Sequence, residues 1–311
     1  MAKVKKTLIM MVSVVAIACL AMSVSAWEGP MVFSRRDGII YLIAEKGLTA
    51  VDVAMGLDPD IGPDGRSIVY VTEEIASDGA ESSFIWIKNL ENMSVRSVLK
   101  GGGRIRLPEW SPDGSEIAFL MFDSEYFWSI HVVRPDGTGF RRVAGSKPGG
   151  EGPVLSGSVN WWPDGKSLIA QDGLFVYRFG LDGNLMEKTP VEKFTGDKYA
   201  TTSTDRFLPH PEREGLWAFT MSVPGTPLFE KTFNEPNQAL FIIDMASGEK
   251  KRLTPEDMLA MDINWSPDGK MIFFSGYRDA NMNESYPFRI YSLDVETGEI
   301  TEVCPGEQPG L

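Results

Sequence analysis

Trp110-Ser111-Pro112-Asp113-Gly114 is followed by the β-type run Glu116-Ile117-Ala118-Phe119-Leu120. In that order the residues specify a tight hairpin. Proline presets φ for the second position of a type I turn, Asp bonds its own backbone, and Gly takes the left-handed conformation before the next strand starts. Copies recur along the chain. Ile263-Asn264-Trp265-Ser266-Pro267-Asp268-Gly269 is nearly identical, and Asn160-Trp161-Trp162-Pro163-Asp164-Gly165 and Asp60-Ile61-Gly62-Pro63-Asp64-Gly65 are looser versions. Each leads into a strand-like run, such as Met271-Ile272-Phe273-Phe274 or Ser67-Ile68-Val69-Tyr70-Val71.

The spacing of the turn prolines sets the architecture. Pro63, Pro112 and Pro163 lie about 50 residues apart, and Pro267 follows after about twice that interval. A degenerate copy fills the gap, with Pro209-His210-Pro211 leading into Leu216-Trp217-Ala218-Phe219-Thr220. Between the turns lie six strand–polar turn–strand elements, among them Trp128 to Val143 around Pro135-Asp136-Gly137. Four strands per unit, repeated around a ring, predict an all-β, six-bladed β-propeller with four-stranded antiparallel blades. A β-sandwich also has many short strands, but fixed periodicity argues against it. The first unit, which opens with Met31-Val32-Phe33-Ser34, lacks the strand that in the other units comes just before the proline turn. The tail Cys304 to Leu311 arrives at that place in a closed ring and is expected to pair there at least partly. A three-stranded first blade is the alternative, because Pro305, Gly306, Pro309 and Gly310 make a poor strand.

Residues 1–26 read as a signal peptide: Lys3, Lys5 and Lys6, an apolar run from Leu8, then Val24-Ser25-Ala26. An uncleaved membrane anchor and a lipoprotein signal acylated at Cys19 are the alternatives, and contact with a membrane is expected only in those two cases. Residues 27–311 read as a single propeller domain, exported to the periplasm or the extracellular space and expected to be monomeric. The net charge is −13, and removal of three lysines makes the mature chain more acidic still. Such a surface repels phosphate backbones, so nucleic acid is excluded as a partner. Cys304 alone remains of the two cysteines and reads as an inert thiol.

The Trp-Ser-Pro-Asp-Gly run, the Ile-x-Phe strand after it and hairpins such as His131-Val132-Val133-Arg134-Pro135-Asp136-Gly137 resemble the TolB-type WD-like propeller repeat family. The resemblance covers residues 30–303 and implies the propeller fold. TolB itself, the periplasmic partner of the peptidoglycan-associated lipoprotein, carries an α/β domain before its propeller. Only four residues separate Ala26 from Met31 here, so the match is to the propeller part.

In an up-and-down blade, with strands a to d in chain order and the proline turn joining a to b, the a–b and c–d turns share one face of the disc. Those turns are short, whereas the other face carries Thr72–Ser83, Ala144–Ser158, Thr189–Asp205, Ser222–Asn237 and Gly276–Pro287. Long loops on a rigid scaffold are where binding concentrates. The candidate binding residues there are Tyr126, Phe127, Phe229, Phe233, Tyr277, Arg278 and Tyr286, with packing of the aromatics beneath their own loops as the alternative. Trp110, Trp161 and Trp265 hold equivalent positions and are expected to pack blade against blade.

Catalytic chemistry has few carriers. His131 stands alone on a strand face, and His210 reads as a residue substituted at the Trp position of its unit. Asp279-Ala280-Asn281-Met282-Asn283-Glu284 alternates oxygen side chains but lacks the glycine and the final Glu of a calcium loop. Gly165-Lys166-Ser167 is followed by a strand and not a helix, so it is no phosphate loop. No Gly-x-Ser-x-Gly elbow occurs. No catalytic residue, cofactor or metal is assigned. The expected function is non-catalytic binding of a protein or a cell-envelope component through the long-loop face. The alternative is a metal-dependent carbohydrate lyase in which His131 or His210 converges with carboxylates.

Overall fold

The turn residues act as their chemistry requires. Gly65, Gly114, Gly165 and Gly269 all adopt φ between 66° and 71°, and the Asp ahead of each accepts a backbone N–H two residues on. The structure is a computed structural model that describes residues 29–45, 49–75, 81–101, 103–122, 127–147, 152–196, 201–223 and 238–311. The signal-peptide reading of residues 1–26 lies outside the described residues.

Blade one begins with β1 (Met31–Ser34), β2 (Ile39–Ile43) and β3 (Val51–Met55). Blade two is β4 (Leu57–Ile61), β5 (Ser67–Ile75), β6 (Glu81–Asn89) and β7 (Val95–Lys100). Blade three is β8 (Ile105–Trp110), β9 (Ile117–Phe122), β10 (Trp128–Val133) and β11 (Arg141–Gly145). Blade four is β12 (Ser156–Trp161), β13 (Ser167–Gln171), β14 (Phe175–Gly180) and β15 (Leu185–Pro190), followed by the single-turn helix α1 (Glu192–Thr195). Blade five is β16 (Phe207–Pro209), β17 (Leu216–Ser222), β18 (Gln238–Asp244) and β19 (Lys250–Arg252). Blade six is β20 (Met258–Trp265), β21 (Met271–Arg278), β22 (Arg289–Asp294) and β23 (Ile300–Pro305).

The last strand, β24 (Glu307–Gly310), does not stay with blade six. It pairs antiparallel with β1, Val32 opposite Gly310 and Ser34 opposite Glu307, and completes the first blade. The expected pairing of the tail is thus present despite its prolines. Pro309 falls at the tunnel side, where its carbonyl accepts from Asn264 Nδ2 and a missing N–H is no loss. Arg35 reinforces the closure by donating from Nε to the Pro305 carbonyl at 3.0 Å.

Six apolar clusters lie between consecutive blades, one per seam. Phe119, Ile105 and Val71 join blades two and three, and Phe33, Phe273 and Cys304 join blades six and one. Completely burying one such side chain contributes about 1.5–3 kcal/mol, so the seams are the main source of stability. The indoles bridge them as expected: Trp161 Nε1 donates to the Glu109 carbonyl and Trp265 Nε1 to that of Leu208, each one blade back. The turn glycines also face the preceding turn, Gly114 against Pro63 and Gly165 against Pro112.

Two expectations change. The Thr72–Ser83 connection is mostly strand, because β5 and β6 pair from Thr72–Phe84 out to Ile75–Glu81. His210 stands at the position of Ser111 and Ser266, not of the Trp. Its Nδ1 accepts the N–H groups of Glu212 and Arg213, and its Nε2 meets the Gly269 carbonyl at 3.1 Å. An imidazole acceptor therefore organises this turn in place of a serine hydroxyl.

Candidate functional site

The inner strands β4, β8, β12, β16, β20 and β24 surround a central tunnel, and they are irregular in the same place. Asp58, Leu107, Asp262 and Gln308 all adopt φ near +50°, each within or beside a register shift against its neighbouring strand. A left-handed residue in a strand makes a bulge and turns its polar groups out of the ladder. The turned-out groups bond across the tunnel wall. Asp58 accepts the Leu107 N–H at 3.1 Å and a Gln308 Nε2–H at 2.6 Å, tying blades one, two and three together.

One residue layer nearer the turns, the position three before each turn proline holds Asp60, Glu109, Asn160, Leu208 and Asn264. Asp60 accepts the Trp110 N–H at 2.8 Å, and Glu109 accepts from Asn160 Nδ2 at 2.6 Å. Arg206, immediately before β16, lies between two carboxylates, 4.0 Å from Glu109 and 3.8 Å from Asp262. Arg106 stands 3.7 Å from Asp58 and 3.5 Å from Glu73. Burial pushes the Asp60 carboxyl up to about 7, opposed by the N–H bonds and by Arg206. It pushes Glu109 up to about 8, where Arg206 pulls the value down and Asp60 adds to the rise. Asp58 is raised in the same direction by burial, against the pull of Arg106. The Glu109 side chain keeps 19% exposure toward the tunnel.

Asp58, Asp60, Glu109, Asn160, Arg206 and Asn264 form the floor of a cavity of about 410 Å³, within the usual range for a ligand recess. Its mouth is apolar, built from the turn prolines together with Ile61, Trp110, Trp161 and Trp265. Because it is lined by the turns and the strand ends that lead into them, it faces the short-turn side. The long loops singled out in the sequence are on the opposite side.

On that opposite side Tyr126, Phe229 and Phe233 lie outside the described residues. Phe127 is half-buried just ahead of β10. Tyr277 is completely buried, edge-on to Phe288 at 5.2 Å, and Tyr286 packs on the same small cluster. Arg278 pairs with Asp257 at 3.2 Å. Blade six therefore brings Tyr277, Arg278 and Tyr286 together, while Phe127 belongs to blade three across the ring. Within the Asp279–Glu284 run, Glu284 accepts from Asn281 Nδ2 and pairs with Arg289, and the Asn281 oxygen accepts the Arg278 N–H. Asp205, whose carboxyl burial raises to about 6, accepts from the Thr202 N–H and from Gln238 Nε2 and so anchors the connection into β16. His131 is buried, meets Ser129 Oγ at 3.0 Å and stacks on Phe140. Among the described residues no three His, Cys, Asp or Glu side chains are placed to hold a metal ion.

The fold and this recess define the class: a six-bladed propeller with a closed ring and an apolar-mouthed, acid-floored central recess. The fold is that of the TolB propeller. TolB from Acinetobacter baumannii superposes with a TM-score of 0.65 at 17% identity, over 91% of this chain and 66% of that one. An uncharacterized peptidase, YuxL, from Bacillus subtilis is 25% identical over 253 residues, covering 80% of this chain and 34% of its own. The uncharacterized protein Atu1656 from Agrobacterium fabrum is 30% identical over 155 residues, half of this chain and 45% of that one. The chain thus spans less than half the length of either relative. No protein-family model matches it.

Proposed function

We propose that this chain is a non-catalytic binding propeller of the cell envelope that takes a segment of a partner protein in its central recess. The observation that supports the reading is the construction of that recess. Asp58, Asp60 and Glu109 each accept hydrogen bonds from a neighbouring blade, so the floor is rigid and its groups are held as fixed recognition elements. The mouth of proline and indole offers flat apolar surface to an extended polypeptide. Residues 1–26 and the likeness to TolB propellers support export and an envelope location. The long-loop face, with Phe127, Arg278 and the projecting β5–β6 ladder, is the second contact area that the same reading allows.

Site-specific photo-crosslinking separates the two faces. A photoreactive residue at Pro112 or Leu311, at the mouth, is expected to capture a defined envelope protein, whereas the same probe at Ile75 or Arg278 is not. Capture only from Ile75 or Arg278 would move the site to the long-loop face. No capture from any position would remove the binding reading. The lyase reading has less to stand on, since His210 has both ring nitrogens engaged by backbone groups.

A further inference from the structure

Blade one is built differently at the mouth of the recess. Trp110, Trp161 and Trp265 line the mouth from the ends of their inner strands, paired with Ile117, Leu168 and Ile272. Val32 and Ala118 each face the following blade, and Gly310 lies opposite Val32 as Glu109 lies opposite Ala118. Leu311 therefore comes to the level of Trp110, and in blade one the indole place falls to an aliphatic side chain that lines the same mouth. Pro30 marks where the chain enters. A Cβ on Gly65 would meet the Pro30 ring at 3.4 Å, as one on Gly114 meets Pro63 at 3.3 Å and one on Gly165 meets Pro112 at 3.6 Å. Pro30 thus extends the ring of turn prolines, of which Pro63 and Pro112 form part of the mouth. Because β24 fills the inner-strand place beside β1, the residues ahead of Pro30 are barred from the tunnel wall that leads into the other proline turns. They start instead on the short-turn face, about 5 Å across the strand pair from the level of Leu311.

We infer that residues 27–29 turn back over Leu311 and rest the Trp27 indole on the mouth of the recess, as a built-in occupant that a partner segment must displace. The inference rests on the binding site proposed above and gives that site its regulation. Three features select this occupant. The tether is short, since the chain from Trp27 to Pro30 spans at most about 11 Å. It is anchored on the face that carries the recess. An indole also matches the proline and indole surface it covers, and Gly29 leaves the backbone free to turn. Tethering holds the indole at a local concentration in the millimolar range, roughly, so a weak contact is populated. A partner then binds with an affinity reduced by the fraction of recess that stays open.

The test uses the chain expressed at full length and recovered after export, with benzoylphenylalanine at position 27. Illumination and mass spectrometry of the resulting peptides are expected to place the crosslink within one molecule, on Leu311, Ile61 or Pro63. A crosslink to the outer strand β3, to the long-loop face or to a second molecule overturns the inference, as does the absence of any crosslink. The second arm keeps position 27 natural and carries the photoreactive residue at Pro112, reading the yield of captured envelope protein. Trp27→Ala is expected to raise that yield severalfold, and Trp27→Phe, which restores an aromatic ring, to bring it back toward the starting value. Equal yields from the three chains overturn the inference and leave the recess standing as a binding site. No capture from any of them removes the binding reading and its regulation together, whatever the first arm shows.

Discussion

Gly269 and Gly248 share nearly the same left-handed backbone, φ +68° and +74°, in different company. A Cβ on Gly269 runs into the His210 ring of the preceding blade, whereas one on Gly248 meets nothing within 4 Å. Gly248→Ala is therefore expected to lose about 1–2 kcal/mol, the strain of a left-handed alanine. Gly269→Ala should lose a further 1–3 kcal/mol, roughly, as His210 is driven off its turn. Urea denaturation of the two variants measures the difference, and equal losses would mean the turn-to-turn contact contributes nothing. The tunnel carboxyls give a second prediction at this scale. In the unfolded chain Asp60 and Glu109 ionise near pH 4, roughly, but in the fold they do so at about 7 and about 8. Between those values the unfolded state gives up protons that the folded state keeps. The stability these groups contribute is complete below the unfolded value and is lost as pH rises through 8. Asp113 and Asp136, held low by bonds from Ser111 and Thr138, act in the opposite sense, and only at more acid pH. The urea midpoint of the wild type should decline from pH 5 to pH 8, and that of the Asp60→Asn, Glu109→Gln double variant should decline less. A midpoint that climbs over this range would show both carboxyls ionised in the fold.

At the scale of an element, β24 is four residues that do three things. It supplies the inner strand of blade one, its Gln308 amide bonds Asp58, and its Pro309 carbonyl receives Asn264. Ending the chain at Gly306 removes these bonds and opens the ring at its only junction between chain ends. At about 0.5–1.5 kcal/mol per hydrogen bond, together with lost burial of Phe33, the expected loss is about 3–6 kcal/mol. Hydrogen exchange should then speed up in β1 and β2 and remain slow in β13 and β14. Uniform acceleration across all blades would mean that the ring opens as one cooperative unit. The repeat unit was legible at this scale because proline, Asp and Gly dictate a local turn whatever surrounds it. The length of β5 and β6 was not, because Thr72-Glu73-Glu74 and Glu81-Ser82-Ser83 look like a polar loop until the two runs are set opposite each other and to Arg104.

The whole molecule is a ring whose seams are filled by apolar side chains and whose axis is not. A propeller closes only if the inner strands approach one another, and the space they leave is too narrow for six large side chains at each level and too wide to be dry. Short polar residues bonded from blade to blade satisfy that geometry, and here they leave a recess lined by Asp58, Asp60, Glu109 and Arg206.

Much of this was written in the linear chain. Turn chemistry is local, so Pro112-Asp113-Gly114 and its copies dictated the hairpins, their period dictated six blades, and the missing inner strand beside Met31 pointed to the C-terminal tail. The recess was hidden, although its signal was present: Asp60, Glu109, Asn160 and Asn264 recur three residues before the turn proline, where a buried strand ordinarily carries apolar groups. Which side of a strand faces the axis, and which partner its polar groups find about 50 residues away, depends on the twist and closure of the ring. Tertiary structure alone therefore decided that Tyr277 is packed away, that His210 serves a turn, and that carboxyls from neighbouring blades and three indoles line one central cavity.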